Sequence, residues 1–411
     1  MSLTRPSLRA GRAAARAALL LAGCAGAPSA HGREGNVLTP YATLSLTADN
    51  NLFRLPADTD PVAISGRSER GDLVRSAQIG MRGDRHFGRQ RLTFDLSANQ
   101  NRYRTYSYLD ADLVNGSGTW AWQLGHDLSG EIGVDQVQSL TAFGDVRSAA
   151  RNITTSRIDR ATANYNLHPS WRLVGGVNET TQRNSSVERI GGNFKAESVE
   201  GGLTYMPVSG NHVTLRGRDT RASYPNRQFL FGASVSNDYT QNDLEADIYW
   251  QISGQSRLYA LLARTRRHYP DLQQRDFNGL TGRTNWEWQA SGKTLLNLGW
   301  RREIGAYQDI TSNYIVTDAA SLTATYQQSA KTQFQGRLEN KTRRFLGDPG
   351  IVLASTDRRT DRINSAALTW NYDVAWPMRL SANLQRELRT SSAAGFNYAD
   401  TSATLSMQLS W

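Results

Sequence analysis

Ala403-Thr404-Leu405-Ser406-Met407-Gln408-Leu409-Ser410-Trp411 alternates without a break. Ala403, Leu405, Met407, Leu409 and Trp411 fall on one face, and Thr404, Ser406, Gln408 and Ser410 on the other. A period of two is the signature of a strand, and this one has an apolar and a polar side. An amphipathic strand of this kind suits a soluble sheet, whose polar side meets water. It equally suits the closing strand of a transmembrane barrel, whose polar side meets the lumen and whose terminal aromatic is read by the assembly machinery. On the second reading Leu405, Met407, Leu409 and Trp411 form the assembly signal.

The rest of the chain decides between the two. Hydrophobic residues make up only 39% of the 411, and the mean hydropathy is −0.54. A spanning strand needs only every second residue to be apolar, so a membrane barrel tolerates this composition. The 10 Trp and 16 Tyr argue against a disordered chain. No run of about 18 apolar residues occurs, which excludes a helical membrane protein.

At the N-terminus, Arg5, Arg9, Arg12 and Arg16 precede a short apolar core and then small residues. Residues 1–30 therefore resemble a secretory signal peptide. Leu21-Ala22-Gly23-Cys24 matches a lipobox, which would make Cys24 a lipidation site; Ala25-Gly26-Ala27 and Ser29-Ala30 are alternative processing points. Cys24 is the single cysteine, so the mature chain has no disulfide, thiol catalysis or Cys-ligated zinc. The expected organisation is leader 1–30, a short periplasmic segment 31–37 and one barrel over 38–411.

Without the leader, 43 of the 47 basic residues remain against 37 acids. The charges are interleaved rather than clustered, which argues against nucleic acid. Membrane lipid, anionic lipopolysaccharide or an acidic polymer is the expected partner.

Eight short turns recur along the chain, near His86, His126, Pro169, Pro207, Gly254, Gly292, Ser329 and Pro377. Longer polar breaks separate them, at 48–70, 104–107, 141–151, 183–193, 222–238, 267–274, 304–315, 342–358 and 389–397. This predicts an all-β fold: an antiparallel outer-membrane barrel of about 18 strands (16–18), with short periplasmic turns and longer extracellular loops. Nine of the ten tryptophans lie near a short turn or the C-terminus, as an interfacial girdle requires; Trp300 sits further in.

Catalytic chemistry is sparse. No nucleophile elbow, phosphate-cradling loop, cofactor motif or metal-ligand spacing occurs. His268 and Asp271, on the outer rim, are the nearest approach to an outer-membrane hydrolase. The lumen carries the stronger signal. Alternation places Arg216, Arg218, Arg264, Arg266, Arg283, Arg301 and Arg337 inside with Glu245, Asp247 and Tyr249. This set reads either as a salt-bridged wall or as a solute path in which arginines pair with carboxylates and Tyr249 stacks on sugar rings. The aromatic loop 222–238 is the expected constriction.

Asp49-Asn50-Asn51-Leu52-Phe53-Arg54-Leu55, Gly88-Arg89-Gln90-Arg91-Leu92, Asn101-Arg102-Tyr103, Leu109-Asp110 and Trp120-Ala121-Trp122 resemble the EpsL family. These are outer-membrane barrels of exopolysaccharide biosynthesis operons, often exosortase-associated. The resemblance continues through Pro169-Ser170-Trp171 and Gly175-Gly176. It implies export of an extracellular polysaccharide, with periplasmic export proteins as partners, and it assigns no catalytic residue. The alternative is a general small-solute porin. In either case the expected location is the outer membrane of a Gram-negative cell.

Overall fold

The computed structural model describes residues 36–145, 148–226, 228–230, 233–271, 273, 276–309, 312–346 and 358–411. The expected leader 1–30, with Cys24, lies outside them. Asn36 and Val37, assigned above to a periplasmic segment, already belong to the first strand.

The first nine strands run β1 Asn36–Asp49, β2 Asp72–Phe87, β3 Gln90–Tyr103, β4 Ala111–Leu124, β5 Leu128–Leu140, β6 Ile153–His168, β7 Trp171–Asn184, β8 Phe194–Tyr205 and β9 His212–Ser223. A small hairpin follows, β10 Gln228–Leu230 and β11 Ala233–Val235. The second half is β12 Tyr239–Ser253, β13 Ser256–His268, β14 Phe277–Ser291, β15 Thr294–Asp309, β16 Ser312–Gln327 and β17 Thr332–Leu346. It ends with β18 Thr360–Ala375, β19 Met378–Ser391 and β20 Tyr398–Ser410. All but the hairpin pair antiparallel with their neighbours in a single 18-stranded sheet, and β20 returns to β1. The chain is therefore a closed 18-stranded antiparallel barrel, the outer-membrane architecture. By strand spacing and tilt it is about 35 Å across.

Closure is made where the alternation predicts it. β1 and β20 pair from Tyr41↔Ser410 to Asp49↔Ser402. The Trp411 amide donates to the Pro40 carbonyl at 3.0 Å. On the inner side Ser45 meets Ser406, and Thr47 meets Thr404, each at 2.9 Å. Closure removes the sheet edges that would otherwise invite pairing with another chain.

The ladder fixes every face. Outward run Leu44, Leu46, Leu92, Leu96, Leu215, Leu244, Leu338, Leu368, Leu384 and Leu405, all exposed. Four to five outward apolar positions per strand make a belt roughly 20–25 Å tall, matching the hydrocarbon core. Leu405, Met407 and Leu409 belong to this belt. Tryptophans edge it at the short-turn rim, with Trp286 stacked on Trp288 at 6.0 Å. This is the expected girdle, and the short turns beside it mark the periplasmic side. The turn between Phe87 and Gln90 needs its glycine, since Gly88 has φ +61°. Inside, Tyr41 lies across Gly80, where a Cβ would come within 2.4 Å of the ring, and its hydroxyl donates to Asp95 at 2.8 Å.

One expected loop is absent. β15 and β16 continue through the break predicted at 304–315, and their ladder runs to Asp309↔Ser312.

Candidate functional site

The lumen wall has two different halves. On β8, β9 and β12 the charges neutralise one another. Arg216 donates to Glu200 at 3.0 Å and to Glu245 at 2.7 Å, and Arg218 contacts the same two carboxylates at 2.7 and 2.9 Å. Asp247 faces inward beside them. Glu245 is only 3% exposed, so this square is packed wall rather than an open solute surface, and a missing member would strand a buried charge. Tyr249 also faces inward, but its ring is covered by His212, stacked at 5.1 Å, and by Tyr259 at 5.1 Å.

On β14, β15 and β17 three arginines, Arg283, Arg301 and Arg337, stay in water. Arg283 and Arg301 stand directly opposite each other across the β14–β15 ladder. Arg301, Arg337 and Lys341 converge on one carboxylate, Glu339, at 3.3, 2.7 and 4.0 Å. Arg337 remains 51% and Arg301 41% exposed. Arg283 has no ion-pair partner among the described residues. Like charges directly opposite on adjacent strands are destabilising, so wall stability does not account for this arrangement.

Seven inward cations, Arg257, Arg267, Arg283, Arg301, Arg337, Lys341 and Arg343, thus line β13–β17 against three described acids, Glu287, Glu303 and Glu339. The wall of β2–β12 is the reverse. There Asp72, Asp84, Asp95, Glu131, Asp135, Glu200, Asp243, Glu245 and Asp247 outnumber Arg82, Arg91, Arg160, Arg172, Arg216 and Arg218. A positive wall therefore faces an acidic one, which sets a field across the pore.

Two expected lumen residues are on the other face. Arg264 and Arg266 point outward, in register with Leu244 and Asn242 of β12. The inner side is pinned by the Thr265 hydroxyl donating to Asp243 at 2.5 Å and by Arg267 donating to Gln241 at 2.7 Å. The sequence misleads here because both faces of Leu258–Ala263 are apolar. The arginines lie beyond Leu262 at the outer edge of the belt, Arg264 level with Leu244 and Leu280 and Arg266 with Asn242 and Asn278, where a long side chain reaches the headgroups.

Loop 222–238, the expected constriction, is described only in part. Tyr224, in loop 222–238, packs with Ala196, Ala222, Phe194 and Tyr239, and burial pushes its phenol pKa up; the side chains of 227–235 lie outside the described set. Among the described residues, the segment 141–145 between β5 and β6 reaches into the mouth. Its tip, Phe143–Asp145, is a 3-10 turn. Phe143 joins Phe53, Leu55, Tyr106 and Leu109 in a small core above the lumen. Asp145 then accepts from Arg343 of β17 at 2.5 and 3.0 Å and from Arg389 of β19 at 3.0 Å, while Arg389 also donates to the Gly144 carbonyl at 2.5 Å. From β5 through β1 and β20 to β17 is eight strand steps in a ring of eighteen, so the contact crosses the mouth. Burial alone would raise the Asp145 carboxyl pKa. The guanidinium groups of Arg343 and Arg389 more than reverse that and hold it below the usual carboxylate value. Sequence reasoning missed this latch because its partners lie some 200 residues away (198 to Arg343).

The two rim residues singled out for hydrolysis have different partners. The His268 imidazole meets Asp276 at 2.8 Å, while Asp271 accepts from the Ser236 amide at 3.2 Å. Among the described residues no group of His, Cys, Asp and Glu is arranged to hold a metal ion.

Comparison with known proteins agrees with the architecture. Residues 263–410 match the family described as "Putative beta-barrel porin 2". Pseudomonas aeruginosa OccK2 (OpdF) has a similar fold, with a TM-score of 0.50 at 12% identity over 92% of this chain and 98% of that one. Its glucuronate complex gives 0.50 at 12% over 91% and 98%. A BenF-like porin from Pseudomonas fluorescens Pf-5 gives 0.52 at 10% over 91% and 99%. No curated protein matches the chain in sequence. The chain is an outer-membrane barrel with the architecture of a porin channel.

Proposed function

We propose that the barrel is a passive channel for small hydrophilic anions, carboxylates first among them. The observation that carries this is the water-exposed pair Arg283 and Arg301, placed opposite each other on the lumen wall without enough carboxylate to neutralise them. A planar guanidinium matches a carboxylate bidentately, so a row of solvated arginines gives an anion successive weak resting places. The acidic wall opposite disfavours anions there and keeps them on the basic side. Export of an extracellular polysaccharide, implied by the N-terminal resemblance, is supported less well, since the contact of Asp145 with Arg343 crosses the mouth and the similar folds are porins. OccK2 has been solved with glucuronate, a sugar carboxylate of the size this reading expects.

The test is swelling of liposomes that hold the purified protein. Glucuronate should enter several-fold faster than uncharged glucose, and Arg283→Gln with Arg301→Gln should remove the preference. Equal rates for the two sugars in wild type, or passage of an acidic polysaccharide, would sink the proposal.

A further inference from the structure

The outer surface carries a second charge asymmetry, independent of the lumen. Above the apolar belt on β6–β9 the outward charges balance: Arg157, Arg183, Lys195 and Arg221 against Asp159, Glu179, Glu197 and Asp219. They pair locally, with Arg157 to Asp159 at 2.8 Å and Lys195 to Glu197 at 2.7 Å. On β13–β19 the balance is lost. Six outward arginines, Arg264, Arg266, Arg302, Arg344, Arg362 and Arg386, face a single described outward acid, Asp318. Asp318 is shared by Arg302, at 3.2 Å, and Arg344. Arg362 and Arg386 are exposed and carry no ion pair among the described residues.

Directly beneath lies a groove of ≈ 710 Å³, walled by Trp286, Trp300, Leu322, Leu338 and Leu388, with Ala366 on its floor and Arg386 at its side. Small side chains between large ones make this face concave. The Asn340 amide donates to the Asn364 side-chain oxygen at 2.6 Å, so the two asparagines satisfy one another in part and still offer polar atoms.

We infer that this face is a specific site for a phosphorylated saccharolipid of the outer leaflet, with acyl chains in the groove and phosphates on Arg302, Arg344, Arg362 and Arg386. The long-loop rim lies outward, so these arginines sit at the depth of the outer headgroups. Basic clusters at that depth recognise anionic lipid heads, and arginine suits phosphate through its paired donors. Charge complementarity selects this occupant over a second copy of the chain, because two copies would bring like-charged faces together.

The experiment uses the whole folded protein in detergent and measures binding of lipid A with and without its phosphates by native mass spectrometry. Wild type should hold the phosphorylated form down to low concentration and lose the dephosphorylated one at much higher concentration. Each arginine near an anionic head contributes about fivefold, so Arg362→Gln with Arg386→Gln should weaken binding about 25-fold. Arg157→Gln with Lys195→Gln, on the balanced wall, should change it little. Ala366→Trp, which fills the groove from the lipid side, should also release lipid A. Equal binding of the two lipid A forms by wild type overturns the inference without needing any variant. So does unchanged binding in the arginine pair, or a dimer that occupies this face. Solute selectivity is untouched in every outcome, so failure here leaves the channel reading standing.

Discussion

Replacing Asp145 by Asn keeps the shape of the latch and removes its charge. Three hydrogen bonds join this carboxylate to Arg343 and Arg389. Bonds to charged groups contribute about 1.5–3 kcal/mol each when fully desolvated. The carboxylate is 39% exposed, so solvent screening reduces the total, and a working value is about 2 kcal/mol. That corresponds to a roughly 30-fold rise in the ratio of open to latched mouth. The Arg389 bond to the Gly144 carbonyl and the Phe143 core persist in the variant, so the loop should flicker rather than leave. The assay is single-channel recording in planar bilayers, where Asp145→Asn should add a frequent higher-conductance level. Acid gives an independent arm. A carboxyl held below its ordinary value supports the latch at every pH above about 3.9 and loses that support as pH falls through the lowered value. Wild-type traces should therefore match at pH 7 and pH 5 and gain the higher level only below about pH 4. Traces of Asp145→Asn indistinguishable from wild type at matched salt and pH would refute the latch.

Other expectations follow from the faces. Leu405→Arg puts a charge into the apolar belt and should cost about 2–4 kcal/mol, read as a lower heat-modification temperature on gels. Removing Ser410 and Trp411 takes away the Trp411 bond to Pro40 and one end of the closing seam. Assembly into the membrane should then fall while the conductance of assembled molecules is unchanged. A bilayer-embedded quencher should reach a fluorophore on Arg264→Cys more readily than one on Arg283→Cys, since the first faces out and the second in. Reversed quenching would contradict the register of β13.

The barrel was legible because its signals are local and repeated. Alternation in Ala403–Trp411, the eight short turns and the tryptophans near them each follow from the two-residue period of a strand, and eighteen strands came directly from counting breaks. The same rule puts Arg216, Arg218, Glu245, Asp247, Tyr249, Arg283, Arg301 and Arg337 on the inner face, where the ladder has them. It failed at Arg264 and Arg266, where Leu258–Ala263 is apolar on both faces and alternation has no contrast to work with. It failed again at 304–315, where Ile304, Gly305 and Ala306 pair with Val316, Ile315 and Tyr314 and continue the ladder instead of breaking it. The roles of the inward residues were less legible than their positions. Whether an arginine is neutralised depends on neighbours one or two strands away, which is why Arg216 and Arg283 looked alike in sequence and differ in structure. The latch was invisible for the same reason, since Asp145 meets residues brought near only by closure of the sheet.

The most direct test of the channel is the reversal potential of the purified protein in a planar bilayer under a potassium chloride gradient. The solvated arginines of β14–β17 predict an anion-selective potential that moves toward zero when Arg283, Arg301 and Arg337 are changed together to Gln. A cation-selective pore, or a wild-type protein that inserts and conducts nothing, would contradict the account.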